Sequence, residues 1–120
     1  MFTGIIEEVG VIREILTNLD GLEIEIDASL VLSDLKVNDS ISCSGICLTV
    51  TMLEKKSFKV QLVQETLKKT NAKNWVPGYS INLERALLPT SRMGGHIVQG
   101  HIDTVVKIKD MTFDDKSAVW

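Results

Sequence analysis

Two histidines and two cysteines are the side chains best suited to chemistry here, and their spacing limits what they can do. His96 and His101 lie five apart, which on a strand puts them on opposite faces. Cys43 and Cys47 sit either side of Gly45, where the strand pattern breaks. Neither pair has zinc-ligand spacing and no third ligand stands near, so no metal site is expected. Ser44-Gly45 lies in a strand pattern and lacks the Gly-x-Ser-x-Gly elbow of a serine nucleophile. Met93-Gly94-Gly95-His96 fits a joint better than a phosphate cradle, and the Gly4 and Gly100 regions match no nucleotide loop.

The wider composition narrows the partners. The chain has 120 residues, 44% hydrophobic and 24% charged, which suits one globular domain with a proper core. Its net charge of -3 has no basic block behind it, so the electrostatic footprint of nucleic-acid binding is missing. Lys55-Lys56 and Lys68-Lys69 read as a solvated turn and a solvated helix face. No apolar run approaches the ~18 residues of a membrane helix. Glu7 and Glu8 come too early for a secretory signal, so the two cysteines are expected as reduced thiols in the cytoplasm.

Strand signals position these residues. Ile5 to Ile15 is rich in β-branched residues and ends at Asn18-Leu19-Asp20-Gly21, where Asp-Gly predicts the hairpin turn. Leu22 to Asp27 alternates apolar and acidic, as a strand with one wet face does. Ser29 to Leu35 suits a short helix. The next strand has apolar residues at odd positions through Cys43 but at even positions in Ile46, Leu48, Val50 and Met52. That switch of faces predicts a β-bulge or sharp bend at Gly45, after which Cys47, Thr49 and Thr51 point away from the core. Phe58 to Val63 alternates again, Gln64 to Lys73 reads as one helix, and Ser80 to Leu87 as the last strand. Pro89 to Gly95 is the one plausible linker. Five or six short strands with bulges and Gly turns predict an all-β fold, a small antiparallel barrel with one or two short helices.

The chain also begins twice. Thr3-Gly4-Ile5-Ile6-Glu7-Glu8-Val9-Gly10-Val11-Ile12 returns as Gln99-Gly100-His101-Ile102-Asp103-Thr104-Val105-Val106-Lys107-Ile108, at an offset of 100 − 4 = 96. A repeat that long signals a duplicated domain rather than a solenoid. Residues 1–96 are therefore expected to form one barrel and 97–120 the beginning of a second.

Four segments carry a resemblance: Met1 to Glu7, Ser44-Gly45-Ile46-Cys47-Leu48-Thr49-Val50, Gln64-Glu65-Thr66-Leu67, and Gly94 to Asp103. In this order they are similar to the riboflavin synthase family. That resemblance implies two lumazine-binding barrels, each a small six-stranded antiparallel Greek-key barrel, followed by a trimer-forming C-terminal helix, of which this chain holds the first barrel and the opening of the second. It implies the exchange of a four-carbon unit between two molecules of 6,7-dimethyl-8-ribityllumazine. The products are riboflavin and 5-amino-6-(ribitylamino)uracil, formed with neither metal nor redox cofactor. The chain alone is expected to be weak or inactive, as a trimer portion or a dimer of fragments. A non-catalytic lumazine- or flavin-binding relative and a stand-alone binding module are the alternatives.

Carried over by position, the resemblance lines the first barrel's pocket with Cys47, Leu48 and Thr49, and with Gln61, Leu62, Val63, Gln64, Glu65 and Thr66. Gly100, His101 and Ile102 complete it, and Gly4, Ile5 and Ile6 complete the pocket of the second barrel. His101 is the expected general base, since an imidazole titrates near neutral pH; a role in orienting ligand or packing the seam stands beside it. Cys47 and Thr49 are expected as catalytic assistants or pocket lining. Ser40 suits a turn cap, and His96 a structural place in the linker.

Overall fold

Alternating apolar residues close a sheet on itself in a computed structural model of the chain. It describes residues 1–87, 102–106, 108, 112–113 and 118–119. Strands β1 (Glu8–Asn18), β2 (Gly21–Asp27), β3 (Ser40–Cys43), β4 (Ile46–Leu53), β5 (Ser57–Val63) and β6 (Ser80–Arg85) form a closed barrel in the order β1-β2-β5-β4-β3-β6. Every pairing is antiparallel. The run β6-β3-β4-β5 is a Greek key, three hairpin-linked strands with the fourth returning beside the first. A further two-strand ladder joins β7 (Thr112–Phe113) to β8 (Ala118–Val119).

The inward side chains pack together as the core of the barrel. Ile12, Ile24, Ile26, Ile41, Cys43, Val50, Phe58, Val60, Leu62, Ile81 and Leu83 are all buried. Among the described residues one α-helix, α1 (Gln64–Lys69), follows β5, and 3-10 turns cover Leu30–Ser33 and Ala72–Asn74. Trp75 and Ala72 pack on the core beside them. No helix among the described residues is long and apolar enough to cross a membrane.

Four local expectations need correction. The residues from Ile41 to Met52 are two strands, not one bent strand: Cys43 pairs with Ile46 across a two-residue turn. Ser44 and Gly45 both have positive φ, 49° and 87°, the type I′ geometry whose twist matches a hairpin. Residues flanking such a turn share a face, which is why the apolar parity switches there. The bulge lies further on, between Val50 and Met52, and it turns Met52 out to solvent. The first hairpin turns on Leu19-Asp20, with Asn18 paired to Gly21. Gly21 is required by crowding instead: a Cβ there would lie 1.9 Å from the Leu62 carbonyl oxygen on β5. Finally, the helix expected to Lys73 stops at Lys69, because the Thr70 hydroxyl takes over the local bonding.

Candidate functional site

With these side chains packed inside the barrel, the candidate site lies on its outer wall. Outward positions on neighbouring strands line up across the sheet: Thr49 pairs with both Ser40 and Gln61, and Ser42 with both Cys47 and Glu84. This side of the barrel is therefore a polar stripe of hydroxyls, a thiol, an amide and a carboxylate. Helix α1 stands beside it, with Thr66, Lys69 and Thr70 at the i, i+3, i+4 spacing that shares a helix face.

Between stripe and helix runs a groove of about 200 Å³ lined by Ile46, Cys47, Glu65, Thr66, Lys69, Thr70 and Ile102. Thr70 fixes its helical wall: its hydroxyl donates to the Thr66 carbonyl at 2.8 Å and accepts from the Ala72 amide at 3.2 Å. Lys69 Nζ meets Glu65 Oε1 at 2.9 Å. The hydrogen bond between them lowers the Glu65 carboxyl and raises the Lys69 ammonium, and Asp103 adds a weaker pull on Lys69. That ion pair is exposed and nearly self-neutralising, so the groove has no strong net charge of its own. Ile102, one residue of the second copy of the opening motif, packs against the core cluster of the first barrel.

The groove gathers Cys47, Glu65, Thr66 and Ile102 from the expected set. Thr49, Gln61, Val63 and Gln64 are solvent-accessible nearby on the same strands and helix start. Leu48 and Leu62 are buried, 4% and 0% exposed, with the core cluster. Gly4, Ile5 and Ile6 lie exposed on a separate segment beside β6. Gly100, His101, His96 and the linker Pro89 to Gly95 fall outside the described residues.

The groove residues that the sequence did not single out are Ile46, Lys69 and Thr70. Helix periodicity from Thr66 was enough to find Lys69 and Thr70. Ile46 straddles core and groove at the hairpin exit, and no local pattern marks that. The two thiols differ sharply: Cys43 is fully buried, which pushes its thiol up out of reach of ionisation, whereas Cys47 is half-buried at the groove. Among the described residues, no cluster of three His, Cys, Asp or Glu could hold a metal.

The fold is thus a closed Greek-key barrel that offers a groove on its outer wall. The chain belongs to the lumazine-binding domain family, whose model matches residues 3–86. Riboflavin synthase of Schizosaccharomyces pombe is 42% identical over 118 residues, 98% of this chain and 57% of that protein. The Photobacterium phosphoreum enzyme is 46% identical over 109 residues, covering 90% of this chain and 50% of the relative. That of Bacillus subtilis is 43% identical over 108 residues, again 90% and 50%. The chain thus spans about half the length of the curated relatives it matches. Among solved structures, LumP in complex with 6,7-dimethyl-8-(1'-D-ribityl) lumazine superposes with a TM-score of 0.82 at 22% identity, covering 98% of this chain and 66% of that one. LumP with riboflavin gives 0.82 and 22% as well, over 96% and 62%. Those superpositions establish the shared fold.

Proposed function

We propose that this chain supplies the first lumazine-binding barrel, and the opening of a second, of a cytoplasmic riboflavin synthase. The observation that carries this reading is the outer groove beside Cys47, with Ile102 of the repeated motif at its edge. The groove holds about 200 Å³, short of the ~300 Å³ at which pockets begin to enclose a whole drug-sized ligand. A site of that size takes part of a pteridine and leaves the rest to a neighbour. Two such barrels facing one another would hold two lumazines in opposite orientations, as a reaction between identical molecules needs.

The substrate supplies most of the reactivity, since loss of a C7-methyl proton gives a carbanion delocalised into the ring. Holding two reactants face to face then contributes up to about 7–11 kcal/mol. Thr49, Gln61 and the half-buried Cys47 offer hydrogen-bonding groups along the stripe, and Thr66 a hydroxyl for the ribityl chain. Ile102 packs an apolar ring face, and His101 beside it takes the methyl proton. By the offset of 96, Gly4, Ile5 and Ile6 do for the other barrel what Gly100, His101 and Ile102 do here. No metal or redox cofactor enters this scheme.

The test adds 6,7-dimethyl-8-ribityllumazine to this chain and to the protein extended through the second barrel. Riboflavin formed only by the longer protein is the expected result. Binding without product in both would point to a non-catalytic relative. In the longer protein, H101Q should slow turnover far more than it weakens binding; unchanged turnover would dismiss the base role.

A further inference from the structure

The strongest unused feature is a buried carboxylate on the outside of the barrel. Glu84, on β6, is 5% exposed, and among the described residues every hydrogen bond its side chain accepts comes from the amino-terminal segment. The Thr3 amide donates to Oε2 at 2.7 Å and the Thr3 hydroxyl to the same oxygen at 2.8 Å. The Gly4 amide donates to Oε1 at 3.0 Å, and the Ile5 amide to the Thr3 hydroxyl oxygen at 3.1 Å. Three successive amides are thereby fixed by one carboxylate and one hydroxyl. Charge-assisted bonds of this kind are the strong ones.

The segment is held at its far end too. The Glu7 amide donates to the Leu83 carbonyl at 2.9 Å, and its carboxylate is gripped by Arg85 through Nε and Nη2. Phe2 is buried on the near side. Between these two feet stand Ile5 and Ile6, 50% and 44% exposed. A rigid arch that lifts two large apolar side chains into water gains nothing for this barrel. Its counterpart 96 residues on points to a use: Ile102, the copy of Ile6, lines a groove.

We propose that Glu84 is a positioning residue for the shared ligand site, setting through Thr3 the height and orientation of the Ile5–Ile6 arch that closes the groove of the other barrel. This rests on the reading of Gly4 to Ile6 as part of that second pocket. Glu84 touches no ligand itself. Its carboxylate is needed because three donors converge on two oxygens, which an amide cannot satisfy.

The test compares E84Q, T3V, T3S and I6A in the full-length protein, following hydrogen exchange of the amino-terminal peptide, melting temperature, and riboflavin formation. E84Q and T3V should speed exchange at residues 3–5 and lower kcat/KM roughly 10–100-fold, the scale of a 1 Å misplacement. T3S keeps the hydroxyl and should restore both exchange protection and turnover, which a merely space-filling role for Thr3 would not require. I6A should lose turnover with normal exchange at residues 3–5. If I6A impairs turnover while E84Q and T3V free the amides without kinetic effect, the positioning role of Glu84 is overturned alone. If I6A turns over normally, the assignment of the arch to a ligand pocket fails, and the role of Glu84 with it.

Discussion

Replacing Thr70 with valine keeps the shape of the side chain and removes its hydroxyl. That hydroxyl is 4% exposed with its residue and joins the end of α1 to the following 3-10 turn, bonding the Thr66 carbonyl and the Ala72 amide. The Ala72 bond is buried, so valine leaves an amide without a partner, at about 1–3 kcal/mol. The part-buried Thr66 carbonyl loses a bond worth roughly 1 kcal/mol, since water can partly replace it. Together T70V should cost about 2–4 kcal/mol, or ~8–30 °C in melting temperature at ~4–8 °C per kcal/mol. Because Thr66 and Lys69 form the groove wall held by this bond, lumazine affinity should fall as well. T70S retains the hydroxyl and should stay within about 1 kcal/mol of the parent. Scanning calorimetry and a fluorescence titration with lumazine read both effects. If T70V and T70S melt within about 2 °C of each other, the hydroxyl does not hold the groove wall.

Thiol labelling of the native chain at mildly alkaline pH should modify Cys47 and spare Cys43, whose thiol is kept protonated by burial. Lumazine should slow the reaction at Cys47; equal labelling with and without ligand would argue against the groove. G21A places a methyl against the Leu62 carbonyl at a φ of +146°, so it should destabilise by more than about 3 kcal/mol in chemical denaturation. The Arg85 guanidinium holds the Glu7 carboxyl below its ordinary value. That contribution is present above the unfolded pKa of about 4.3 and is lost as pH falls through the folded value. E7Q should therefore lose less stability than the parent between about pH 5 and 3; parallel pH curves would show the pair to be idle.

The barrel was legible because its strands alternate cleanly. Ile24 and Ile26, Phe58 with Val60 and Leu62, and Ile81 with Leu83 declare their inner face by period alone. The switch of parity at Gly45 was visible too, but a bulge and a two-residue hairpin produce the same switch. Only the pairing of Cys43 with Ile46 separates them. Gly21 looked like a turn residue, while its reason lies 41 residues away in the backbone of Leu62. Glu84 continues the alternation as an ordinary outward polar residue. Its burial comes from Thr3, 81 positions distant, which no local window sees. Leu48 and Leu62 show the converse: motif position put them in the pocket, and strand parity puts their side chains in the core.

The most direct measurement is a crystal structure of the chain soaked with 6,7-dimethyl-8-ribityllumazine. The pteridine should lie against the outer wall between β4 and α1, touching Cys47, Thr66 and Ile102, and extending toward Thr49. A ligand seated instead on the outer face of β1 and β2, with the Cys47 groove empty, would contradict the account.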